Sequence, residues 1–78
     1  MPRYFFNIDD RQDVTRDEEG IDLPNLDAVR EEVTESARQI MSQAVLDGTL
    51  PERRKFIVMD EAGIVVLEFG FKDAIRPD

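Results

Sequence analysis

The sequence predicts a two-layer α+β fold in which an antiparallel sheet of four to five strands packs on one long helix. Two observations support this prediction. One central stretch has apolar residues at helical spacing, and the stretches on both sides are rich in aromatic and β-branched residues, as strands are. Because the chain has 78 residues, we expect residues 1–78 to form a single small domain.

The first strand is predicted over residues 3–9, where the side chains alternate between two sides of the sheet. One side carries Tyr4, Phe6 and Ile8, and the other carries Phe5 and Asn7. A polar turn follows at residues 9–12. A second and weaker strand is then predicted at residues 13–17, with Val14 as its apolar anchor.

The pattern Asp-Glu-x-Gly-Ile occurs twice, at residues 17–21 and 60–64. Type I turns favour Asp at their first position and Gly at a position with left-handed backbone. We therefore interpret both copies as turns. The acidic cluster at residues 17–22 could instead hold Ca²⁺, but the spacing of carboxylates in an EF-hand is missing, so we predict no metal site.

The helix is predicted to begin at Leu26, capped by Asn25, and to end at Asp47 before Gly48. Its apolar residues lie three or four positions apart and so form one stripe. The stripe consists of Leu26, Val29, Val33, Ala37, Ile40 and Ala44, with Met41 and Val45 beside it.

After a connector at residues 49–52, two strands are predicted at residues 54–60 and 64–71, joined by the turn at 61–63. Residues 72–78 either form one helical turn or fray. The element order is then β-β-(β)-α-β-β. The bracketed strand is the short extended segment that ends at Pro24.

One helix covers only one face of a sheet, yet these strands are apolar on both faces. In the last strand Val65, Leu67 and Phe69 form one row, and Ile64 and Val66 form the other. We therefore expect an apolar surface that is buried in a homodimer or against a protein partner. The alternative is that residues 71–78 fold back over this surface.

Composition argues against several functions. The net charge of −8 argues against binding to nucleic acid. The chain has no histidine and no cysteine, so it lacks the commonest zinc ligands and the usual general base near neutral pH. We expect neither an enzyme nor a cofactor. No apolar run is long enough for a leader or a membrane span, so we expect a cytoplasmic protein.

The sequence predicts a non-catalytic protein–protein interaction module that self-associates through an apolar sheet face or edge. An antitoxin-like regulator, which masks a small basic toxin with its acidic surface, is the alternative. The predicted partner-binding residues are Phe5, Ile64, Val66, Asp17, Glu18 and Glu19.

Three segments carry a resemblance to a known family: MPRYFFNI, RDEEGIDLPNLDAVREE and VMDEAGIVVLEFGF. Together they resemble a family of short bacterial proteins of unknown function. Its members begin Met-Pro-x-Tyr-Phe-Phe and carry Asp-x-x-Gly-x-x-Leu-Pro ahead of a single helix. The resemblance covers nearly the whole chain and implies no activity, substrate or catalytic residue.

The segment IDLPNLDAVREEV is more faintly similar to HicB-type antitoxins. Those proteins place strands, a Leu-Pro segment and an acidic amphipathic helix in the same order, and they bind a small basic toxin. This resemblance implies the antitoxin-like alternative. The Gly-Cys that often follows their proline is replaced here by Asn25-Leu26.

Overall fold

The computed structural model describes residues 1–11, 13–49 and 53–74. The elements, in chain order, are β1 (Arg3–Asp9), β2 (Val14–Thr15), β3 (Ile21–Asp22), α1 (Leu26–Asp47), β4 (Lys55–Met59), β5 (Val65–Gly70) and a 3₁₀ turn (Phe71–Ala74). This order confirms the predicted α+β class and the third, short strand. Residue 12 of the first predicted turn, residues 50–52 of the connector and residues 75–78 of the tail lie outside the described residues.

The sheet is antiparallel, with the strand order β2-β1-β4-β5, and β3 also pairs with β1. Both β2 and β3 lie along the edge of β1 that β4 leaves free, since Ile8 is opposite Thr15 and Tyr4 is opposite Ile21. Between these two pairs β1 has residues 5–7, whereas the facing segment has residues 16–20. The facing segment is longer and therefore bulges away from β1.

The helix has the caps that its sequence predicts. The Asn25 side chain accepts a hydrogen bond from the amide of Ala28 at 2.9 Å, and Gly48 closes the other end with a φ of 80°. The amide of Gly48 bonds back to the carbonyl oxygens of Ala44 and Val45. Among the described residues, no helix has the length and apolar character required to cross a membrane.

One face of α1 packs on the sheet. Its buried residues are Val29, Val33, Ala37, Met41 and Ala44. The predicted stripe is correct in period and at its last residue, Ala44, but wrong at its first residue and on its flank. Met41 is only 2% exposed, whereas Leu26 is 49% exposed and lies outside the core. The buried positions from Val29 to Met41 are four residues apart, so the stripe passes through Met41, and Ile40 packs at its margin.

The core lies between α1 and the sheet face that carries Tyr4, Phe6, Phe56 and Val58. The 3₁₀ turn completes it, because Phe71 is fully buried and its ring centroid lies 4.9 Å from that of Phe56. Arg38 on α1 donates a hydrogen bond to the carbonyl oxygen of Ala74 at 3.1 Å. Residues 71–74 therefore lie on the helix side of the sheet and not across its opposite face.

A β-bulge changes the predicted alternation of β5. Val58 pairs with Leu67, whereas the next residue of β4, Met59, pairs with Val65, so Val66 is the extra residue. Val66 packs against the core together with Leu67. The predicted row is therefore correct for Leu67 and Phe69, which follow the bulge. It is wrong for the two valines: Val65 lies opposite Met59, and Val66 is turned toward the core.

Candidate functional site

The sheet face turned away from α1, called the open face below, has an apolar centre. Phe5 lies opposite Met59, and Asn7 lies opposite Ile57, on the two central strands. The three apolar side chains of this group are partly exposed, and only Asn7 is buried. This arrangement agrees with the predicted alternation of β1, in which Tyr4 and Phe6 occupy the core side.

Two ion pairs lie at the ends of this apolar centre. Arg3 Nε is 3.0 Å from Asp22 Oδ1, and Lys55 Nζ is 2.8 Å from Glu68 Oε1. The hydrogen bond from Arg3 lowers the pKa of Asp22, and the hydrogen bond to Glu68 raises the pKa of Lys55. All four side chains are exposed to solvent, so we expect each pair to contribute little to stability. They mark the polar boundary of the open face.

A concavity of about 640 Å³ lies over the open face. It is lined by Phe5, Asn7, Val14, Arg16, Asp17, Glu18, Ile57, Met59, Asp60, Glu61 and Gly63. The floor is formed by strand side chains and is mainly apolar. The rim consists of the bulged segment after β2 and the turn between β4 and β5, and it is mainly acidic.

Asp17 joins the bulged segment to β1. Its Oδ2 atom accepts a hydrogen bond from the amide of Phe6 at 3.1 Å, and its own amide donates to Asn7 Oδ1 at 2.9 Å. These two bonds satisfy groups that face a gap in the strand pairing. Asn7 is therefore buried with a hydrogen-bond partner, and its side-chain oxygen, Oδ1, is committed to the fold.

The second carboxylate oxygen of Asp17 holds the turn itself. Oδ1 accepts from the amides of Glu19 and Gly20, at 3.2 and 3.1 Å. Burial raises the pKa of Asp17, but the hydrogen bonds from the amides of Phe6, Gly20 and Glu19 lower it, and the net pKa is below the ordinary value. Asp17 is thus a structural carboxylate that remains ionised at neutral pH.

The two Asp-Glu-x-Gly-Ile segments are both turns, as predicted. In the second copy Asp60 Oδ1 accepts from the amides of Ala62 and Ile64, at 2.9 and 3.0 Å. Gly20 and Gly63 have φ values of 75° and 80°. Within residues 1–11, 13–49 and 53–74, no group of three or more acidic side chains is arranged to hold a metal ion.

The structure brings three of the predicted partner-binding residues together. Phe5 lies in the floor of the concavity, and Asp17 and Glu18 lie on its rim. Glu19 is exposed on the same turn but does not line the concavity. The other two are elsewhere: Ile64 is 60% exposed ahead of β5, and Val66 packs against the core.

Sequence reasoning missed most of the floor and half of the rim. The missed residues with the clearest role are Ile57, Met59, Asp60 and Glu61. A signal for the first two was present, because residues 56–59 are apolar on both sides of β4. Phe56 and Val58 face the core, so Ile57 and Met59 face the opposite side of the sheet. The two missed rim acids gave no such signal, since Asp60 is explained by the turn that it holds and Glu61 is an exposed residue of the same turn.

A second concavity, of about 350 Å³, lies on the outer surface of α1. It is lined by Arg30, Glu31, Thr34, Glu35 and Arg38. Its two arginines balance its two glutamates, and it has no apolar floor. It therefore serves as a reference surface and not as a competing site.

Comparison with known protein families gives a match. Residues 3–72 match the family model described as a domain of unknown function, DUF6894. No curated protein matches the chain, and no solved structure matches it. The comparisons therefore provide a family without an activity, and any function has to be argued from the surface of the chain.

Proposed function

We propose that this chain, which belongs to DUF6894, a family of domains of unknown function, is a non-catalytic protein–protein interaction module. Its partner binds across the open face. The observation that supports this proposal is the concavity over an apolar sheet centre that α1 does not cover and that residues 71–74 do not reach. An apolar surface of this kind is typical of an interaction site.

The floor can supply a moderate binding energy. Full burial of a large apolar side chain is worth about 1.5–3 kcal/mol, and Phe5, Ile57 and Met59 are already partly buried. About 1 kcal/mol for each on binding is a reasonable expectation on the same scale. A partner held by these contacts alone would bind weakly, so contacts at the rim must contribute as well.

The rim carboxylates are poorly suited to catalysis. A general base works best when its pKa lies near the working pH, whereas the pKa of Asp17 is lowered. Its oxygens also accept bonds from the amides of Phe6, Glu19 and Gly20, and Asp60 is similarly engaged by backbone amides. These contacts support a binding role for the concavity rather than a chemical one.

Self-association stays a prediction, and the fold offers two surfaces for it. One is the open face, and the other is the outer edge of β5, which pairs only with β4 in the described part of the sheet. The antitoxin-like alternative differs in its partner, a small basic toxin. The acidic rim of the concavity is the observation that favours a basic partner.

Photo-cross-linking from matched glutamate positions tests the proposal. The photoreactive residue p-benzoylphenylalanine replaces Glu18 or Glu61 on the rim, and in the control it replaces Glu31 or Glu35 on the outer surface of α1. All four are exposed glutamates, so the replacements should not disturb folding. We expect a discrete adduct from the two rim positions, in cells that express the chain, and none from the helix positions.

A second change then tests the apolar floor. Ile57→Thr together with Met59→Thr removes apolar contact, while threonine still favours a β-strand. Urea unfolding verifies that the variant folds. We expect the rim adduct to disappear in this variant. Adducts that form equally from the helix positions, or none from the rim, would refute the proposed function.

A further inference from the structure

We propose that the occupant of the concavity is a basic segment of a different protein, with apolar side chains set between lysines or arginines, and not a second copy of this chain. This inference rests on the proposed function and names the partner class for the same site. Three properties of the molecule support it: the charge of the rim, the partners of the rim carboxylates and the charge of the whole chain.

The lining of the concavity is strongly acidic. It has four carboxylates, Asp17, Glu18, Asp60 and Glu61, against one guanidinium, that of Arg16, so its formal charge is −3. The outer surface of α1 is different, because its concavity is formally neutral. The lining over the open face is therefore acidic, whereas the lining on the outer surface of α1 is formally neutral.

The rim has carboxylates that remain available to a ligand. Glu18 is exposed and has no hydrogen bond or ion pair within the described residues. Within the described residues, Glu61 accepts one long hydrogen bond, 3.4 Å, from the amide of Arg3, and its charge also interacts with the Arg3 guanidinium. Asp17 and Asp60 are committed to backbone amides, and their formal charges add to the field over the floor. Two carboxylates can thus pair with cations while two act at longer range.

A second copy fits this site poorly. If the open faces of two copies met, two rims of formal charge −3 would be juxtaposed, on chains that each carry a net charge of −8. Like charges brought together at an interface oppose association. A basic segment has the opposite effect, since its cations reach the rim while its apolar side chains contact Phe5, Ile57 and Met59.

The concavity also has a suitable size. Its volume of about 640 Å³ falls within the range of roughly 300–1,000 Å³ that binding pockets occupy, and it accommodates a few side chains rather than a whole domain face. An extended segment that alternates apolar and basic residues would point its apolar side chains at the floor and its basic side chains to the opposite side. The long stems of lysine and arginine can bend back, so that their cations reach the rim. This periodicity defines the probe for the experiment.

Three synthetic peptides of equal length separate the possible outcomes. The first alternates lysine with leucine, the second replaces every lysine with glutamate, and the third keeps lysine but replaces every leucine with serine. Binding to the intact chain is followed by NMR, from the methyl signals of Ile57 and Met59, at low and high salt. We expect the first peptide to shift these signals, to bind at least tenfold more tightly than either other peptide, and to weaken with salt.

Variants of the chain connect this binding to the rim. Glu18→Gln with Glu61→Gln removes the two available carboxylates, and Glu31→Gln with Glu35→Gln removes the same charge from the outer surface of α1. We expect the first pair to weaken binding several-fold and to reduce its salt dependence, and the second pair to leave the shifts at Ile57 and Met59 unchanged.

The two proposals fail in different ways. Equal binding of the lysine and glutamate peptides, or no binding by the lysine–leucine peptide, would overturn the basic partner. A rim cross-link whose adduct is a second copy of the chain would overturn it as well, while supporting an interaction module. If the chain with an unchanged floor gave no adduct specific to the rim positions, the proposed function would instead be refuted, whatever the peptides do.

Discussion

The carboxylate of Asp17 accepts a hydrogen bond from the amide of Phe6 at 3.1 Å, at a point where β1 faces a bulged segment instead of a paired strand. A backbone carbonyl would accept this bond in a regular ladder. A buried amide without a partner costs about 1–3 kcal/mol. One side chain therefore completes the edge of the sheet, and it also forms part of the rim of the candidate site.

Asp17→Asn should destabilise the fold although it preserves the shape of the side chain. Both carboxylate oxygens are in use, one toward Phe6 and the other toward Glu19 and Gly20. An amide side chain offers only one oxygen, and its NH₂ group would face a backbone N–H. We expect the free energy of unfolding in urea to fall by about 1–3 kcal/mol.

Glu18→Gln is the matched control for this change. It removes the same charge from the neighbouring residue, which makes no hydrogen bond or ion pair within the described residues. We expect a change within about 0.5 kcal/mol. If both variants lost the same stability, the effect would come from net charge and not from the hydrogen bonds of Asp17.

Asp17 should also give the fold a defined dependence on pH. Its pKa in the folded protein lies below the ordinary value of 3.8. A carboxylate with a lowered pKa stabilises the fold when the pH is above its unfolded pKa, and this contribution is lost as the pH falls through the folded pKa. The contribution is thus complete at neutral pH and declines below about pH 4.

The difference in unfolding free energy between the native chain and Asp17→Asn isolates this effect. Asp22, whose pKa is lowered by its hydrogen bond with Arg3, is present in both proteins, so its main effect cancels. We expect the difference to be constant from pH 7 to about pH 5 and to shrink between about pH 4 and pH 2. A difference that is the same at pH 2 as at pH 7 would contradict this assignment.

Gly20→Ala should cost more than Gly63→Ala. Both glycines have left-handed backbone, with φ values of 75° and 80°, so both substitutions should lose about 1–2 kcal/mol. A Cβ atom at Gly20 would also lie 2.8 Å from Arg3 Cγ and 2.9 Å from Phe5 Cε1, whereas at Gly63 it would meet nothing within 4 Å. We expect an additional loss of about 1 kcal/mol or more from this crowding.

Urea unfolding of the two variants gives the comparison, and NMR adds a second readout. Because the ring of Phe5 must move to make room, Gly20→Ala should shift the aromatic signals of Phe5, and Gly63→Ala should not. Equal stability losses with no change at Phe5 would mean that the ring does not pack against Gly20.

Much of the fold could be predicted because its signals are local. The alternation of Tyr4 and Phe6 with Phe5, and the caps Asn25 and Gly48, depend on neighbouring residues alone. The bulge in β5 was missed for a physical reason. Val65 and Val66 are both apolar, so an extra residue between the two rows leaves no break in the pattern. Only the pairing with β4 determines which valine meets the core.

The candidate site was only partly predictable, because its residues meet through distant pairing. Phe5 and Asp17 were selected for apolar character and for charge, and both line the concavity. The bond from Phe6 to Asp17 joins residues eleven positions apart and depends on how β2 and β3 pair with β1, which turn chemistry does not reveal. Ile57 and Met59 required knowing which side of β4 the helix covers.

Phe71 should be essential to the stability of the fold although it lies outside the sheet. It is fully buried, its ring packs against Phe56, and its amide donates to the carbonyl oxygen of Arg54 at 3.0 Å. We expect Phe71→Ala to lower the unfolding free energy by about 3–5 kcal/mol. That is a large part of the roughly 5–15 kcal/mol typical of a domain, so Phe71→Leu, with a loss of about 1–2 kcal/mol, provides a variant that stays folded.

Leu46→Ala is the control for Phe71→Ala, because Leu46 is 81% exposed on the same helix that the 3₁₀ turn packs against. Its unfolding free energy should change by less than about 0.5 kcal/mol. If Phe71→Ala were as mild as Leu46→Ala, the 3₁₀ turn would not be part of the core. The chain after β5 would then be free to cover the open face, and that face would have no need of a partner. A large loss for Phe71 ties the turn at residues 71–74 to the helix side, so that these residues do not cover the open face.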